Sequence, residues 1–235
     1  NISGEIPPEI GGLTSLQNLF LYNNDLTGAI PEEIGLLTNL ANVNLAINQL
    51  TEIPAEIGNL TNVHTLSLNI NQIAQVPDEI ADMSSLVGLK LAHNQLAGEI
   101  PSVLLNLSNL TVLELNNNQL TGEIPAAIGN LVNLTSLKLQ DNQLTGIPQE
   151  IGDLTSIKEI NLLDNQLTGA IPAELGNLTN LEELLLQDND LSGSIPVELG
   201  DLSNLKTLSL HKNDLSGQIP SELGDLTNLE VLRLH

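Results

Sequence analysis

Residues 110–120 read LTVLELNNNQL. The leucines fall at Leu110, Leu113, Leu115 and Leu120, with Asn118 between the last two. Successive side chains of a strand point to opposite faces, so Leu113 and Leu115 enter a core while Glu114 turns to solvent. Asn118 is expected to turn the chain inward, because an Asn amide both donates and accepts and can satisfy the backbone groups that a bend leaves unpaired. Stacked copies of this stretch place such Asn residues in one column, each bonding a neighbouring coil.

Copies run from end to end. LQNLFLYNNDL occupies residues 16–26 and LKTLSLHKNDL residues 205–215. The motif Asn recurs at Asn24, Asn48, Asn71, Asn94, Asn118, Asn142, Asn165, Asn189 and Asn213, at steps of 23 or 24 residues. The L-x-x-L-x-L-x-x-N-x-L spacing is the leucine-rich-repeat signature. It predicts one repeat array over residues 1–235, with nine complete motifs and a partial tenth. The second half of each repeat, as in LTGEIPAAIGNLVNL at residues 120–134, reads as a short edge-like extended segment, since Pro removes a donor and biases its predecessor to extended geometry. One or two helical turns follow, 3₁₀ or broken α. Pro stands at their start, an acid such as Glu33 or Glu198 in the first turn, and a Gly turns the chain back. Three repeats are one residue short before the Pro (LTEIP, IAQVP and LTGIP) and should tighten locally without breaking the stack.

Composition narrows the function. With no Cys, disulfides, zinc knuckles and thiol chemistry are excluded. A net charge of −23, from 29 acids against six bases, excludes nucleic acid and anionic membrane as partners, because both need clustered Lys and Arg. No apolar run is long enough to cross a bilayer. Neither a phosphate-binding Gly loop, nor a nucleophile elbow, nor a metal-spaced His pair is present, so the chain reads as a non-enzyme with no cofactor and no metal.

The L-x-G-x-I-P-x-x-[IL]-G-x-L half resembles the plant-type leucine-rich repeat of receptor-kinase ectodomains and polygalacturonase-inhibitor proteins. The resemblance covers essentially the whole chain. It implies an α/β repeat solenoid, a right-handed superhelix with a concave parallel β-sheet, a second short sheet, and 3₁₀ or helical turns on the convex side. The chain departs from those families in lacking their paired Cys and terminal caps. With Ile6, Ile10, Leu229, Leu232 and Leu234 open at the ends, it is expected to be an excerpt of a longer protein, the alternative being that its ends pair with another copy.

Subtracting the scaffold leaves five outward strand positions per repeat. All six bases lie there (Lys90, Lys138, Lys158, Lys206, Lys212, Arg233), as do His64, His93, His211 and His235 and the two aromatics Phe20 and Tyr22. Of the 29 acids, 21 lie elsewhere. A strict repeat consensus that frees only these positions would give the same pattern; either way this face alone has the variety to recognise a ligand. Repeats one to three carry no formal charge on it, and Tyr22, Ala46, Ile47, Ile70 and Ala92 should cluster there as an exposed apolar patch, with Phe20 one pleat step away. Packing of Phe20 and Tyr22 beneath an N-terminal cap is the alternative.

From Lys90 onward the face carries mixed charge, including Glu114, Lys138, Asp141, Asp164, Asp188 and Lys212. Asp141, Asp164 and Asp188 share a column, which reads either as a carboxylate row that invites a cation or basic partner or as a solvated row neutralised by Lys. His211 should approach Asp188, without a placed nucleophile to make a triad. Six N-x-[ST] sequons, at Asn1, Asn59, Asn106, Asn109, Asn133 and Asn177, coincide with repeat consensus and leave compartment open. The expectation is a recognition module that binds a protein or peptide, extracellular or at a cell surface, with a cytoplasmic place also open. Its candidate site is Phe20, Tyr22, Ile47, Ile70, Lys90, His93, Glu114, Lys138, Asp141, Asp164, Asp188, His211 and Lys212. An enzyme inhibitor or adhesion protein is the alternative. A remoter one is ice binding, through the column Thr27, Thr51, Thr121, Thr145, Thr168, Ser192 and Ser216, which Ala74 and Ala97 interrupt. Oligomeric state is not legible.

Overall fold

In the computed structural model, which describes Asn1–His235, every repeat forms one coil of strand, bend, second segment and turn. Contacts divide the chain into two compact units: Asn1–Ala97 with Pro101–Gln119, and Gly98–Ile100 with Leu120–His235.

In the first unit, five parallel strands run through Asn18–Phe20, Asn42–Asn44, Thr65–Ser67, Gly88–Lys90 and Val112–Glu114. Their registers align Leu19, Val43, Leu66, Leu89 and Leu113 in one buried row. The second unit repeats this with Ser136–Lys138, Glu159–Asn161, Glu183–Leu185, Thr207–Ser209 and Val231–Arg233. There the row is Leu137, Ile160, Leu184, Leu208 and Leu232, buried except for Leu232. Each such leucine fills its layer, so truncation to Ala destabilises by about 2–5 kcal/mol.

The motif Asn column forms as the spacing predicts. In the first unit Asn71 Nδ2 donates to Leu45 O of the preceding coil (3.1 Å) and to Leu68 O of its own (3.0 Å), while its Oδ1 accepts the Leu50 N–H (2.9 Å). In the second unit Asn165 does the same with Leu139 O, Leu162 O and the Leu144 N–H. The bend itself belongs to the residue before the motif Asn, which holds a positive φ in every complete copy. Assigning the turn to Asn118 was therefore one residue late: Asn117 turns the chain and Asn118 secures the turn.

A second Asn ladder, which the sequence reading missed, lies on the opposite side. Asn39, Asn62 and Asn109 donate to Thr14 O, Thr38 O and Ser84 O, at 2.8–2.9 Å. Asn180, Asn204 and Asn228 donate to Thr155 O, Thr179 O and Ser203 O, at 2.7–2.8 Å. Its signal was the L-[TS]-N-L consensus, read only as a source of sequons.

All ten helical turns are five-residue 3₁₀ segments, from Pro8–Gly12 to Ser221–Asp225, and none is α. A Pro stands before each as its N-cap, extended in all but Pro101 and Pro220, one position earlier than the usual first-turn Pro. The Gly inside these turns does not reverse the chain. Its role is close approach: a Cβ on Gly35 would lie 2.7 Å from Glu56 O of the next coil, and one on Gly176 would lie 2.5 Å from Glu198 O. Where Ala81 replaces that Gly, a cleft of about 200 Å³ opens among Ala81, Met83, Leu86, Asn106 and Leu107.

The short repeats spend their missing residue in the second segment. Its register shifts between Gly28 and Ala29 against Gln49–Glu52, and between Gly122 and Glu123 against Gln143–Gly146. In the IAQVP repeat no second strand forms. A cleft of about 550 Å³ lies there, lined by Thr51, Glu52, Ile53, Ala74, Gln75 and Val76 among others. Main-sheet register is unaffected. Of the apolar side chains expected to lie open, Ile6 is buried, Ile10, Leu229 and Leu234 are half-buried, and Leu232 is exposed, because one stacked neighbour already removes much of a layer from water.

Candidate functional site

The strand face is built by the coil geometry. Core leucines alternate inward, and the residues between them point out. On the first unit this face presents Phe20 and Tyr22, exposed at 57% and 55%, and Ile47 and Ile70, exposed at 43% and 47%. Ala46 and Ala92, expected in the same exposed patch, are buried at 9% and 4%, because a methyl between longer neighbours is shielded by them. The amides beside the patch are engaged within the chain. Asn42 Nδ2 donates to Asn18 Oδ1 (2.8 Å), and Asn44 Oδ1 accepts the Ala46 N–H (3.1 Å).

The bend column carries a feature invisible to spacing. Asn23, Ile47, Ile70, His93, Asn117, Asp141, Asp164, Asp188 and Lys212 all sit in the left-handed region, with φ of 51–58°. Coil-to-coil hydrogen bonds impose it. The Ile47 N–H donates to Asn69 O (2.8 Å) and Ile47 O accepts the Asn48-equivalent of the previous coil, Asn24 N–H (3.1 Å). Ile70 is held in the same way by Ala92 O (2.8 Å) and the Asn48 N–H (3.1 Å). Asn and Asp tolerate this region, whereas a β-branched side chain is crowded in it, at about 1–3 kcal/mol per residue.

At the edge of the first unit's patch, Lys90 Nζ lies 3.1 Å from Glu114 Oε1, and Asn69 Nδ2 donates to Glu114 Oε2 at 3.1 Å. His93 stands exposed in the bend column.

On the second unit the face is ion-paired. Lys138 meets Glu159 (3.2 Å), Lys212 meets Asp188 (2.7 Å), and Glu182 lies between Lys158 (3.8 Å) and Lys206 (2.5 Å). The hydrogen bond and charge of Lys206 hold the Glu182 carboxyl below the usual carboxylate range, and Glu182 in turn raises Lys206. Asp188 raises Lys212 in the same way. Asp141, Asp164 and Asp188 do share the bend column, with Lys212 on the last, and no group of three His, Cys, Asp or Glu side chains comes together that could hold a metal ion.

His211 is lowered below the ordinary His value, first by desolvation and then by His235, on which it stacks with ring centroids 5.0 Å apart. The sequence reading missed Ser209, whose Oγ lies 3.3 Å from His211 Nδ1. This is no triad: Ser209 is fully buried, and Lys212 occupies the Asp188 carboxylate. Also unforeseen are Gln140 and Gln187, whose Oε1 atoms are buried on this face without a hydrogen-bond partner.

Family models agree with the coil geometry. A leucine-rich repeat region model matches residues 104–235, and two leucine-rich repeat models match residues 38–96 and 15–37. The chain belongs to the leucine-rich-repeat family. No curated protein matches it. Among solved structures, this leucine-rich-repeat chain is similar to the plant peptide hormone receptor RGFR1 in complex with RGF2, at 39% identity and TM-score 0.83 over 99% of this chain and 42% of that one. It is also similar to the Arabidopsis receptor kinase HAESA in complex with the peptide hormone IDA and the co-receptor SERK1, at 34% identity and TM-score 0.94 over 100% of this chain and 40% of that one. The chain thus spans about two fifths of the length of these receptors. A plant ice-binding protein is similar at 28% identity and TM-score 0.82, over 99% of this chain and 77% of that one. No helix is long and apolar enough to cross a membrane.

Proposed function

We propose that this leucine-rich-repeat chain is a non-catalytic recognition module, extracellular or at a cell surface, that binds a protein or peptide on its strand face. One observation carries the reading. The other faces of each coil are committed to stacking, through the Asn ladders and the close-approach Gly, while the strand face holds every base, every His and both aromatics. The likeness to receptors solved with peptide hormones supports the same reading. The ligand-binding residues are proposed to be Phe20, Tyr22, Ile47, Ile70, Lys90, His93 and Glu114 on the first unit, and Lys138, Asp141, Asp164, Asp188, His211 and Lys212 on the second.

A display library of random dodecapeptides panned on the chain tests this. Tyr22→Ala and Lys138→Ala should weaken selected peptides by tenfold or more, whereas Glu33→Ala and Glu198→Ala on the turn side should leave them unchanged. The reverse pattern would place recognition on the turns.

A second reading, ice binding, has one observation in its favour. Thr121, Thr145, Thr168, Ser192 and Ser216 follow one another on consecutive coils of the second unit, the last three exposed, and an ice-binding protein is among the similar structures. Two of these hydroxyls already bond a neighbouring coil, Thr168 Oγ1 to Thr145 O and Ser216 Oγ to Gly193 O. Absence of thermal hysteresis at millimolar protein would eliminate it.

A further inference from the structure

We infer that the adjacent Ile47 and Ile70, with Tyr22 beside them, form an anchor site for an uncharged, extended peptide segment that inserts an apolar side chain. The inference rests on the strand face being the recognition surface and says which part of that face binds, and what.

Three observations converge on it. Both isoleucines occupy left-handed backbone that crowds a β-branched side chain, and both remain over 40% exposed, so their packing within the chain does little to offset the strain. Five other positions in that column carry Asn or Asp, which the geometry accepts readily (Asn23, Asn117, Asp141, Asp164 and Asp188). Two neighbouring coils therefore present apolar side chains at the very positions where the fold opposes them.

The second observation is charge. In a chain of net charge −23, the outward strand positions of the first three repeats carry no formal charge. A charged ligand segment would lose hydration there and find no ion partner, whereas a neutral one loses little. Lys90, at the patch boundary, is already occupied by Glu114.

The third is that amides beside the patch are tied within the chain, Asn42 Nδ2 to Asn18 Oδ1 and Asn44 Oδ1 to the Ala46 N–H. Beside them Tyr22, Ile47 and Ile70 offer exposed apolar surface. Adjacent strands lie about 4.8 Å apart, so side chains on neighbouring coils can flank one inserted aliphatic or aromatic group.

The test uses the full chain and the double variant Ile47→Asn/Ile70→Asn, which gives both bends a residue that accepts the geometry. Two readouts are taken: the thermal midpoint, and binding of random dodecapeptides selected by display on the unaltered chain. The double variant should melt about 5 °C higher. Selected peptides should be neutral with an aliphatic or aromatic anchor, and should bind the double variant at least tenfold more weakly while binding the turn-side variant Glu198→Ala normally. A lower midpoint would make the isoleucines packing residues and overturn the inference. Charged peptides that lose affinity for Lys138→Gln but not for the double variant would overturn it and leave strand-face recognition standing. Peptides indifferent to every strand-face change, or no selected peptides at all, would overturn both.

Discussion

The two units share one scaffold and differ in what they show to solvent. Both bury a leucine row in register, and both tie coil to coil through an Asn that bonds two turns at once. On the first unit the outward strand positions of three repeats carry no formal charge, Phe20, Tyr22, Ile47 and Ile70 stand exposed among them, and the bend column holds two isoleucines in left-handed backbone. On the second unit the same column holds Asp141, Asp164 and Asp188, and Lys138, Lys158, Lys206 and Lys212 all lie within ion-pair distance of acids. The scaffold positions carry the same residue types throughout, whereas the bend keeps one backbone conformation under Asn, Asp, Ile, His and Lys alike.

The largest effect should be common to both units. Asn71→Ala and Asn165→Ala each remove a side chain that serves two coils and leave a buried Leu N–H (Leu50 or Leu144) without its acceptor. Each should lose about 3 kcal/mol in denaturant unfolding. A large difference between the two would show that the scaffolds are not equivalent.

Next comes a change that makes the second unit resemble the first. Asp164→Ile puts a β-branched residue at φ 51° and should lower stability by about 1–3 kcal/mol, measured the same way. An unchanged midpoint would mean the bend tolerates isoleucine and that Ile47 and Ile70 are not strained.

A smaller effect is specific to the second unit. His211 is held below its ordinary pKa by desolvation and by His235, so the unfolded chain binds the proton more readily. Its contribution is fully present above the ordinary His value of about 6.5 and is lost as pH falls through the folded value. His211→Gln should flatten the dependence of stability on pH in that window. The least effect is expected from the ion pairs. Lys206 and Lys212 are solvent-exposed, and their pairs are screened, so Lys206→Gln and Lys212→Gln should leave the melting midpoint unchanged within error at physiological salt. A clear drop would mean that the charged face is structural.

The scaffold was legible because it is periodic. Leu113, Leu115 and Asn118 recur with their spacing, and spacing alone places them in strand, core and ladder. The receptor-ectodomain resemblance followed from the I-P-x-x-[IL]-G half. What the sequence concealed was conformation. Nothing in LAINQL or LNINQI says that Ile47 and Ile70 must adopt positive φ, because their neighbours in the column are Asn, His, Asp and Lys, and no single residue type marks the bend. The role of the turn Gly was hidden for a related reason: Gly35 and Gly176 matter for the coil beside them, and contact between coils is not written in either coil alone. Ser209 beside His211 and the unpaired Gln140 and Gln187 were missed because outward positions carry no consensus against which to notice them.

The most direct measurement is the sign of two single substitutions in the same unfolding experiment, Ile70→Asn and Asp164→Ile. The account predicts opposite signs: the first raises the midpoint by relieving a strained bend, and the second lowers it by creating one. A drop in both would make Ile70 an ordinary packing residue and remove the physical reason for placing the apolar anchor on the first unit.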